Sequence, residues 1–215
     1  MDKTRDIELI QNLLAQECGH RFPMDTPVMV RFISSLEEQS LKRGEVLTDY
    51  GQMDSRVCII QSGIIRLDYF DGLQEKTLAF GSPGSLFTQM HCYYLHQPAF
   101  FRSVACTDSV IRWTTKQIFD SFIVESKEFA QWVLDCALNQ LCGVELKLER
   151  LNGDAYERYV SLVKVLPDVV RNVPDRVIAS YLGITPAWLS QIKKKHTIEI
   201  EKEQSTDFKP FSSNT

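Results

Sequence analysis

DRVIASYLGITPAWLSQIKKK, residues Asp175–Lys195, is the stretch that decides how this 215-residue chain folds. Six of its apolar residues cannot share one stripe of a straight helix, whereas two helices crossing at an angle would bury all six. They are Ile178, Ala179, Leu182, Ile184, Leu189 and Ile192. Gly183 marks the break, because glycine accepts a left-handed turn without steric penalty. Thr185-Pro186 then supply a cap and a first-turn proline, so the stretch predicts a helix-turn-helix.

The outward face of the second helix follows from this register, and in such motifs it lies in the DNA major groove. We expect it to carry Thr185, Pro186, Ala187, Ser190, Gln191 and Lys194. Ser190 and Gln191 are the predicted readers of bases, and a glutamine amide suits the edge of adenine. Lys193, Lys194 and Lys195 are placed for phosphates. The alternative, a helical hairpin buried in an all-helical core, explains fewer of these residues.

Composition limits the kind of protein this is. The net charge is -4 and the pI is near 5.6, so any DNA contact must come from a local basic surface. No apolar run is long enough to span a bilayer, and the N-terminus has no secretory signal pattern, so we expect a cytoplasmic protein without membrane contact.

The six cysteines are scattered singly, which predicts reduced and mostly buried thiols. Cys136 and Cys142 would face different directions on one helix, and we expect no metal site.

The rest of the chain predicts an α+β protein in three segments. Residues 1–126 hold two short helices, near residues 6–17 and from Pro27, and then short strands separated by turns such as Asp71-Gly72. Strands at this spacing suggest a jelly-roll-like β-roll that would hold an effector, closed by Val104–Trp113. Residues 127–151 form a long helix. Residues 152–215 hold a helix over 155–166, the helix-turn-helix and a polar tail, of which at most the first residues could form a strand.

The long helix carries apolar residues at spacings of three and four, the pattern of a seam that meets another helix. They are Val133, Ala137, Leu141, Val144, Leu148 and Leu151. The seam could pack on the chain's own β domain. We favour a dimer contact, because a helix of this length would extend beyond a small β domain.

A β-roll, a long helix and a helix-turn-helix, in this order, resemble the Crp/Fnr family of transcription regulators over residues 28–195. The residues that carry the resemblance are Lys42–Glu45, Val57–Gly63, Pro83-Gly84, Gln97–Asp108 and the helix-turn-helix. The family implies a homodimer with a domain similar to cyclic-nucleotide-binding domains, and paired motifs on two successive turns of DNA. The β wing that usually follows the motif looks reduced here.

The family's nucleotide cassette has Gly-Glu opening a short helix and then Pro-Arg-Ala, whose charged residues hold the ribose and the cyclic phosphate. Here Ser85 follows Gly84, and Ala99 follows Pro98, so we expect no cyclic AMP binding in the family manner. Arg102 lies three residues beyond the expected arginine, an odd offset that points it to the other face of a strand. We expect the roll to bind a different, less charged effector, or none. Its tentative pocket is Ser85, Leu86, Phe87, Tyr93, Tyr94, Phe100, Phe101 and Arg102.

Other chemistries find little support in the sequence. Cys18 stands alone where an iron-sulfur sensor needs several cysteines, and His20, His91, His96 and Cys92 are only nominal haem ligands. No phosphate loop, nucleophile elbow or paired catalytic carboxylate indicates an enzyme, so we assign no catalytic residue and no cofactor. The expected partners are double-stranded DNA, a second copy of the chain and RNA polymerase. The alternative function is a ligand-binding module that acts through protein partners.

Overall fold

A computed structural model gives the fold of the chain. It describes residues 3–17, 22–151 and 153–207, with side chains over 4–16, 22–148 and 153–200. The contacts divide the chain into two compact units, Met1–Leu148 and Glu149–Thr215. The long helix predicted as a segment of its own therefore belongs mostly to the first unit. Cys18 and His20 lie outside the described residues, as does the side chain of Leu151.

Eight strands of the first unit form two four-stranded antiparallel sheets, which confirms the predicted β-roll. One sheet has the order β1-β8-β3-β6, and the other has the order β2-β7-β4-β5. The predicted Asp71-Gly72 turn joins β4 to β5. The strands are β1 (Glu37–Leu41), β2 (Val46–Thr48), β3 (Val57–Ser62), β4 (Ile65–Phe70), β5 (Glu75–Gly81), β6 (Leu86–Thr88), β7 (Arg102–Ala105) and β8 (Ser109–Thr114).

The core between the sheets comes from alternate residues of facing strands. Cys58 and Ile60 of β3 meet Ile65 of β4 and Ala105 of β7 there. Gly63 makes the turn from β3 to β4 at φ 88°, and a Cβ there would lie 2.1 Å from the Ser109 hydroxyl. Glycine is therefore required at this turn both by its backbone conformation and by the space available.

Helices cover the outer face of the first sheet. Val57 and Ile59 point to this side of β3, and the ring of Phe32 lies among four other aromatic rings there, with centroids 5.0–5.8 Å away. These rings belong to Phe119, Phe122, Phe129 and Trp132. The helices of the first unit are α1 (Lys3–Glu17), α2 (Pro27–Ser34), α3 (Met90–Tyr93), α4 (Lys116–Glu125) and α5 (Lys127–Leu151).

The second unit is helical throughout its described residues. Its helices are α6 (Ala155–Val165), α7 (Pro167–Asn172), α8 (Asp175–Leu182) and α9 (Pro186–Asp207). Pro167, which the sequence predicts as the end of the preceding helix, also begins the short helix α7, which was not predicted. The residues after His196, of which at most the first few could have formed a strand, are helical instead, because α9 continues through residues 197–207 without a break. No wing strand follows the helix-turn-helix as far as Asp207.

Candidate nucleic-acid interface and effector site

The helix-turn-helix has the geometry that its sequence predicts. Gly183 ends α8 in the left-handed conformation, with φ 67° and ψ 32°. The hydroxyl of Thr185 accepts a hydrogen bond of 3.2 Å from the Trp188 amide and so caps the start of α9. Ala179 is completely buried, as close approach of the two helices requires. Ile178, Leu182, Leu189 and Ile192 complete the buried contact between the two helices.

The opposite side of α9 is open to solvent. All six positions predicted to face outward are exposed, and no hydrogen bond engages the side chain of Ser190 or Gln191 within the described contacts. They are Thr185, Pro186, Ala187, Ser190, Gln191 and Lys194. The Gln191 amide and the Ser190 hydroxyl therefore lie on a helix face that is open to solvent, and DNA contact by these residues stays a prediction.

The three lysines at the end of the motif differ in their surroundings. Lys193 is half-buried and forms an ion pair with Asp175 at the start of α8. Lys195 lies 4.2 Å from the centre of the Tyr156 ring and 3.8 Å from a carboxylate oxygen of Glu199. Lys194 is exposed and has no partner among the described contacts. Of the three, Lys194 is the best placed to meet a phosphate.

Trp188 lies beside this face and is not among the residues predicted to contact DNA. Its side chain is 50% exposed in the first turn of α9. It lies one residue before the buried Leu189 and three before Gln191, so the helical register alone could have placed it beside the predicted readers.

Gly84 and Ser85, where the sequence places the start of the cassette, do not open a short helix in the structure. Gly84 and Ser85 lie in the turn before β6, and the Ser85 amide donates to the Ser82 carbonyl. The short helix of the cassette is α3, which begins at Met90 with Gln89 as its cap. By the resemblance, the residue that opens the short helix is then Gln89 rather than Ser85, and it carries an amide where the resemblance implies a carboxylate.

The side chain of Gln89 is buried in the interior of the roll. Its amide donates a hydrogen bond of 2.9 Å to the Ser103 hydroxyl, and both side chains are buried. Ser103 shares its face of β7 with Ala105, which belongs to the core between the sheets. The interior at this point thus presents a neutral amide and a hydroxyl rather than a carboxylate.

The arginine of the cassette has no replacement. Ala99 is buried, and its amide and carbonyl bond to the backbone of Gln52 and Gly51 at 2.8 and 3.0 Å. Arg102 lies on the face of β7 opposite Ser103, but β7 begins at Arg102, so the offset from Ala99 does not set this direction. Its guanidinium is held by two carboxylates, at 2.8 Å from Glu75 and 3.3 Å from Asp49. It is therefore already paired and faces away from the interior.

The remaining tentative pocket residues are not brought together. Leu86 packs against the helices, whereas its neighbour Phe87 packs into the core between the sheets. Tyr94 and Phe100 are exposed, and Phe100 contacts the rings of His91 and Phe101 at 5.4 and 5.0 Å. The Ser85 hydroxyl accepts from the Ser82 amide at 3.2 Å. The residues of the predicted effector pocket therefore do not line a single pocket in the structure.

Tyr93 ties α3 to α4 instead of facing a ligand. Its hydroxyl donates to Asp120, and the Lys116 ammonium lies 4.2 Å from the centre of its ring. Burial and the hydrogen bond to the Asp120 carboxylate raise the pKa of Tyr93. The phenol therefore stays protonated and engaged at neutral pH.

The cysteines show no metal or redox arrangement within the described residues. Cys58, Cys92, Cys106 and Cys136 are buried, and Cys142 is exposed. Burial raises the pKa of the Cys58 thiol to about 12, which keeps it protonated and disfavours metal binding. No group of three or more histidine, cysteine or acidic side chains is placed to hold a metal ion in the part of the chain that is described.

None of the described helices is long and apolar enough to cross a membrane.

The far half of α5 leaves an apolar stripe uncovered. Phe129, Trp132 and Cys136 bury the first half of the helix, and Val133 packs beside them rather than in the predicted seam. The exposed stripe begins at Leu134 instead. At 100° per residue its members fall within about 120° of the helix surface. They are Leu134, Ala137, Leu138, Leu141, Val144 and Leu148, and we call them the α5 stripe.

Comparison with known proteins places these features in context. A family model of the cyclic nucleotide-binding domain matches residues 38–126. No curated protein matches the sequence of the chain.

Solved structures match both units. The catabolite activator protein of Thermus thermophilus is 19% identical, with a TM-score of 0.52 over 85% of this chain and 87% of that one. A CooA mutant from Carboxydothermus hydrogenoformans is 19% identical, with a TM-score of 0.65 over 82% and 83%. FixK2 from Bradyrhizobium japonicum is 17% identical, with a TM-score of 0.62 over 83% and 89%. At these identities the likeness establishes the fold.

Proposed function

We propose that this chain, in which residues 38–126 belong to the cyclic nucleotide-binding domain family and which has the fold of the Crp/Fnr transcription regulators, regulates transcription by binding DNA. The observation that carries the proposal is the open face of α9. A helix that buries Leu189 and Ile192 on α8 while leaving Gln191 and Lys194 unpartnered has the organisation of a recognition helix.

The proposed active form is a homodimer joined through the α5 stripe. Six apolar side chains of one helix face are exposed in the single chain, and a soluble domain rarely leaves such a continuous stripe uncovered. A second copy of the same helix would cover it in the manner of a coiled coil. Two recognition helices related by a two-fold axis would then bind an operator with two-fold symmetry. RNA polymerase in the cytoplasm is the expected further partner of the bound dimer.

The β-roll is proposed to have lost the contacts that recognise a cyclic nucleotide. Gln89 and Ser103 offer a neutral amide and a hydroxyl, and Arg102 is held by Glu75 and Asp49. An effector that enters this roll meets no free guanidinium from the cassette residues. This favours a neutral effector over a phosphate.

The roles of Gln191 and Lys194 give the first prediction. Gln191→Ala should cost about 1–3 kcal/mol of binding free energy on the preferred site and little on random duplex DNA. Lys194→Ala should weaken binding to both duplexes alike and lower the slope of log K against log salt by roughly one. Fluorescence anisotropy with labelled duplexes at several salt concentrations measures both quantities.

Lys164→Ala is the matched control, because Lys164 is an exposed lysine on α6, outside the motif. It should leave affinity and salt slope close to those of the wild type. An equal loss of affinity for both duplexes in Gln191→Ala would mean that this side chain does not read a base. A salt slope for Lys164→Ala that matches that of Lys194→Ala would mean that α9 is not the face that meets phosphate.

A further inference from the structure

Trp188 is more exposed to solvent than the other two tryptophans of the chain. Of the three tryptophans in the chain, Trp132 is 1% exposed and Trp113 is half-buried beneath the guanidinium of Arg56. The Trp188 side chain is half exposed, and it makes no hydrogen bond and no ring contact within the described contacts. A large indole left half exposed on the open side of α9 marks a binding surface.

The position of Trp188 on α9 indicates what it meets. At 100° per residue it lies about 60° from Gln191 and about 20° from Lys195 around the helix axis. It therefore sits on the flank of the exposed face and not at its centre, which lies near Ala187 and Lys194 with Gln191 between that centre and Trp188. When the centre of such a face points to the floor of a groove, the flank faces its wall, which is sugar and phosphate.

The chemistry of the indole and of its neighbours suits such a wall. The indole offers a broad apolar surface for deoxyribose and a single N–H donor for a phosphate oxygen. Lys194 on the same helix and Arg176 at the start of α8 are exposed cations without a partner among the described contacts. This positive charge complements a polyanion and favours DNA over an apolar protein surface as the occupant.

We propose that Trp188 packs its indole against the sugar–phosphate wall of the groove beside Gln191 and donates its Nε1–H to a phosphate oxygen. The inference rests on the proposed DNA-binding function and names one contact within it. Since the indole is neutral, it displaces no counterion, and its contribution to affinity should be independent of salt. This separates it from the contribution of Lys194.

The direct test is acrylamide quenching of tryptophan fluorescence in the full-length protein. In the free protein the quencher should reach Trp188, and saturating duplex DNA carrying the preferred site should remove that quenching. Trp188→Phe should lose both the accessible emission and its protection. The emission that remains comes from Trp113 and Trp132 and should not respond to DNA.

Affinity measurements supply the second arm. Trp188→Ala should weaken binding to the preferred and to the random duplex alike by roughly tenfold, with an unchanged salt slope. Trp188→Phe should lie between Trp188→Ala and the wild type, because it keeps an apolar ring and loses the donor. Val165→Ala removes an exposed apolar side chain on α6 and should bind as the wild type does.

Three outcomes overturn the inference. If the wild type binds DNA but Trp188 stays accessible in the complex, or Trp188→Ala binds normally, the contact is absent and the DNA-binding function stands. If Trp188 becomes protected on self-association without DNA, the occupant is a protein surface. If the wild type binds no duplex at all, the proposed function and this inference fail together.

Discussion

Leu148→Glu should convert the protein from a dimer to a monomer in sedimentation. Leu148 lies in the α5 stripe and is 60% exposed in the single chain, so the glutamate would be solvated in a monomer. In a dimer built on this stripe, two such carboxylates would be buried against an apolar surface, at a cost of several kcal/mol. The stability of each folded chain should change little, because the substituted residue is not in its core.

Leu146→Glu is the matched control for this prediction. Leu146 is 51% exposed on the same helix, and about 200° of helical rotation separates it from Leu148. The chemical change is identical, but the new carboxylate would lie on the opposite side of α5. This variant should therefore remain a dimer. If Leu148→Glu sediments as a dimer, or if both variants dissociate alike, the α5 stripe is not the dimer contact.

The monomer should also bind DNA much more weakly. Two linked recognition helices gain from effective concentration, which is commonly worth 10²–10⁴ in affinity without any new contact. We expect Leu148→Glu to lose about that factor on a two-fold site while its binding to an isolated half-site stays nearly constant. Anisotropy titrations on whole and half duplexes give the comparison directly.

The second large effect concerns cyclic AMP, which should bind at least about a hundredfold more weakly than in a member of the family with both charged contacts. The structure gives the reason. By the resemblance, the carboxylate position falls on Gln89, whose amide is already bonded to Ser103, and the guanidinium position falls on Ala99, which has only a methyl group. Arg102 cannot substitute without leaving Glu75 and Asp49.

Titration calorimetry of the full-length protein with cyclic AMP measures this affinity. We expect no binding in the micromolar range or tighter. Arg102→Gln is the control, since removing a guanidinium that takes no part in binding should leave the titration unchanged. Micromolar binding by the wild type would contradict the account, and its loss in Arg102→Gln would show that this arginine had moved to the phosphate.

The sequence specified the helix-turn-helix well because its signals are local. Gly183 needs the left-handed conformation, Thr185 caps the next turn, and Pro186 fits a first turn, so three neighbouring residues fix the geometry. The β-roll was predictable for a similar reason, since its turns are marked in the sequence. Such features depend little on residues distant in the chain.

The errors lie where distant contacts decide. Whether Val133 or Leu134 faces outward depends on Phe32 and the aromatic rings around it, which the spacing along α5 does not reveal. Gly84 has the residue type that opens the cassette, but the short helix of the roll begins only after β6, at Met90. Only the fold of the roll, and not the local sequence, shows that Gln89 is the residue that precedes this short helix.

The tail of α9 shows how a local pattern can mislead. Residues 198–201 alternate isoleucine and glutamate, a pattern that favours a strand. No glycine or proline interrupts α9 after Pro186, however, and Tyr156 of α6 bonds to both His196 and Glu199 on successive turns. These contacts hold residues 196–199 in a helical conformation, so tertiary packing overrides the local preference.

The central claim is that the open face of α9 reads DNA as one half of a two-fold pair. Selection of duplexes from a random pool by the full-length protein, followed by sequencing and by affinity measurement at several salt concentrations, tests it most directly. We predict enrichment of an inverted repeat whose half-sites lie about one helical turn, or roughly 10 base pairs, apart, with affinity that falls as salt rises. A pool that shows no enrichment, together with no salt-dependent binding to any duplex, would contradict the account.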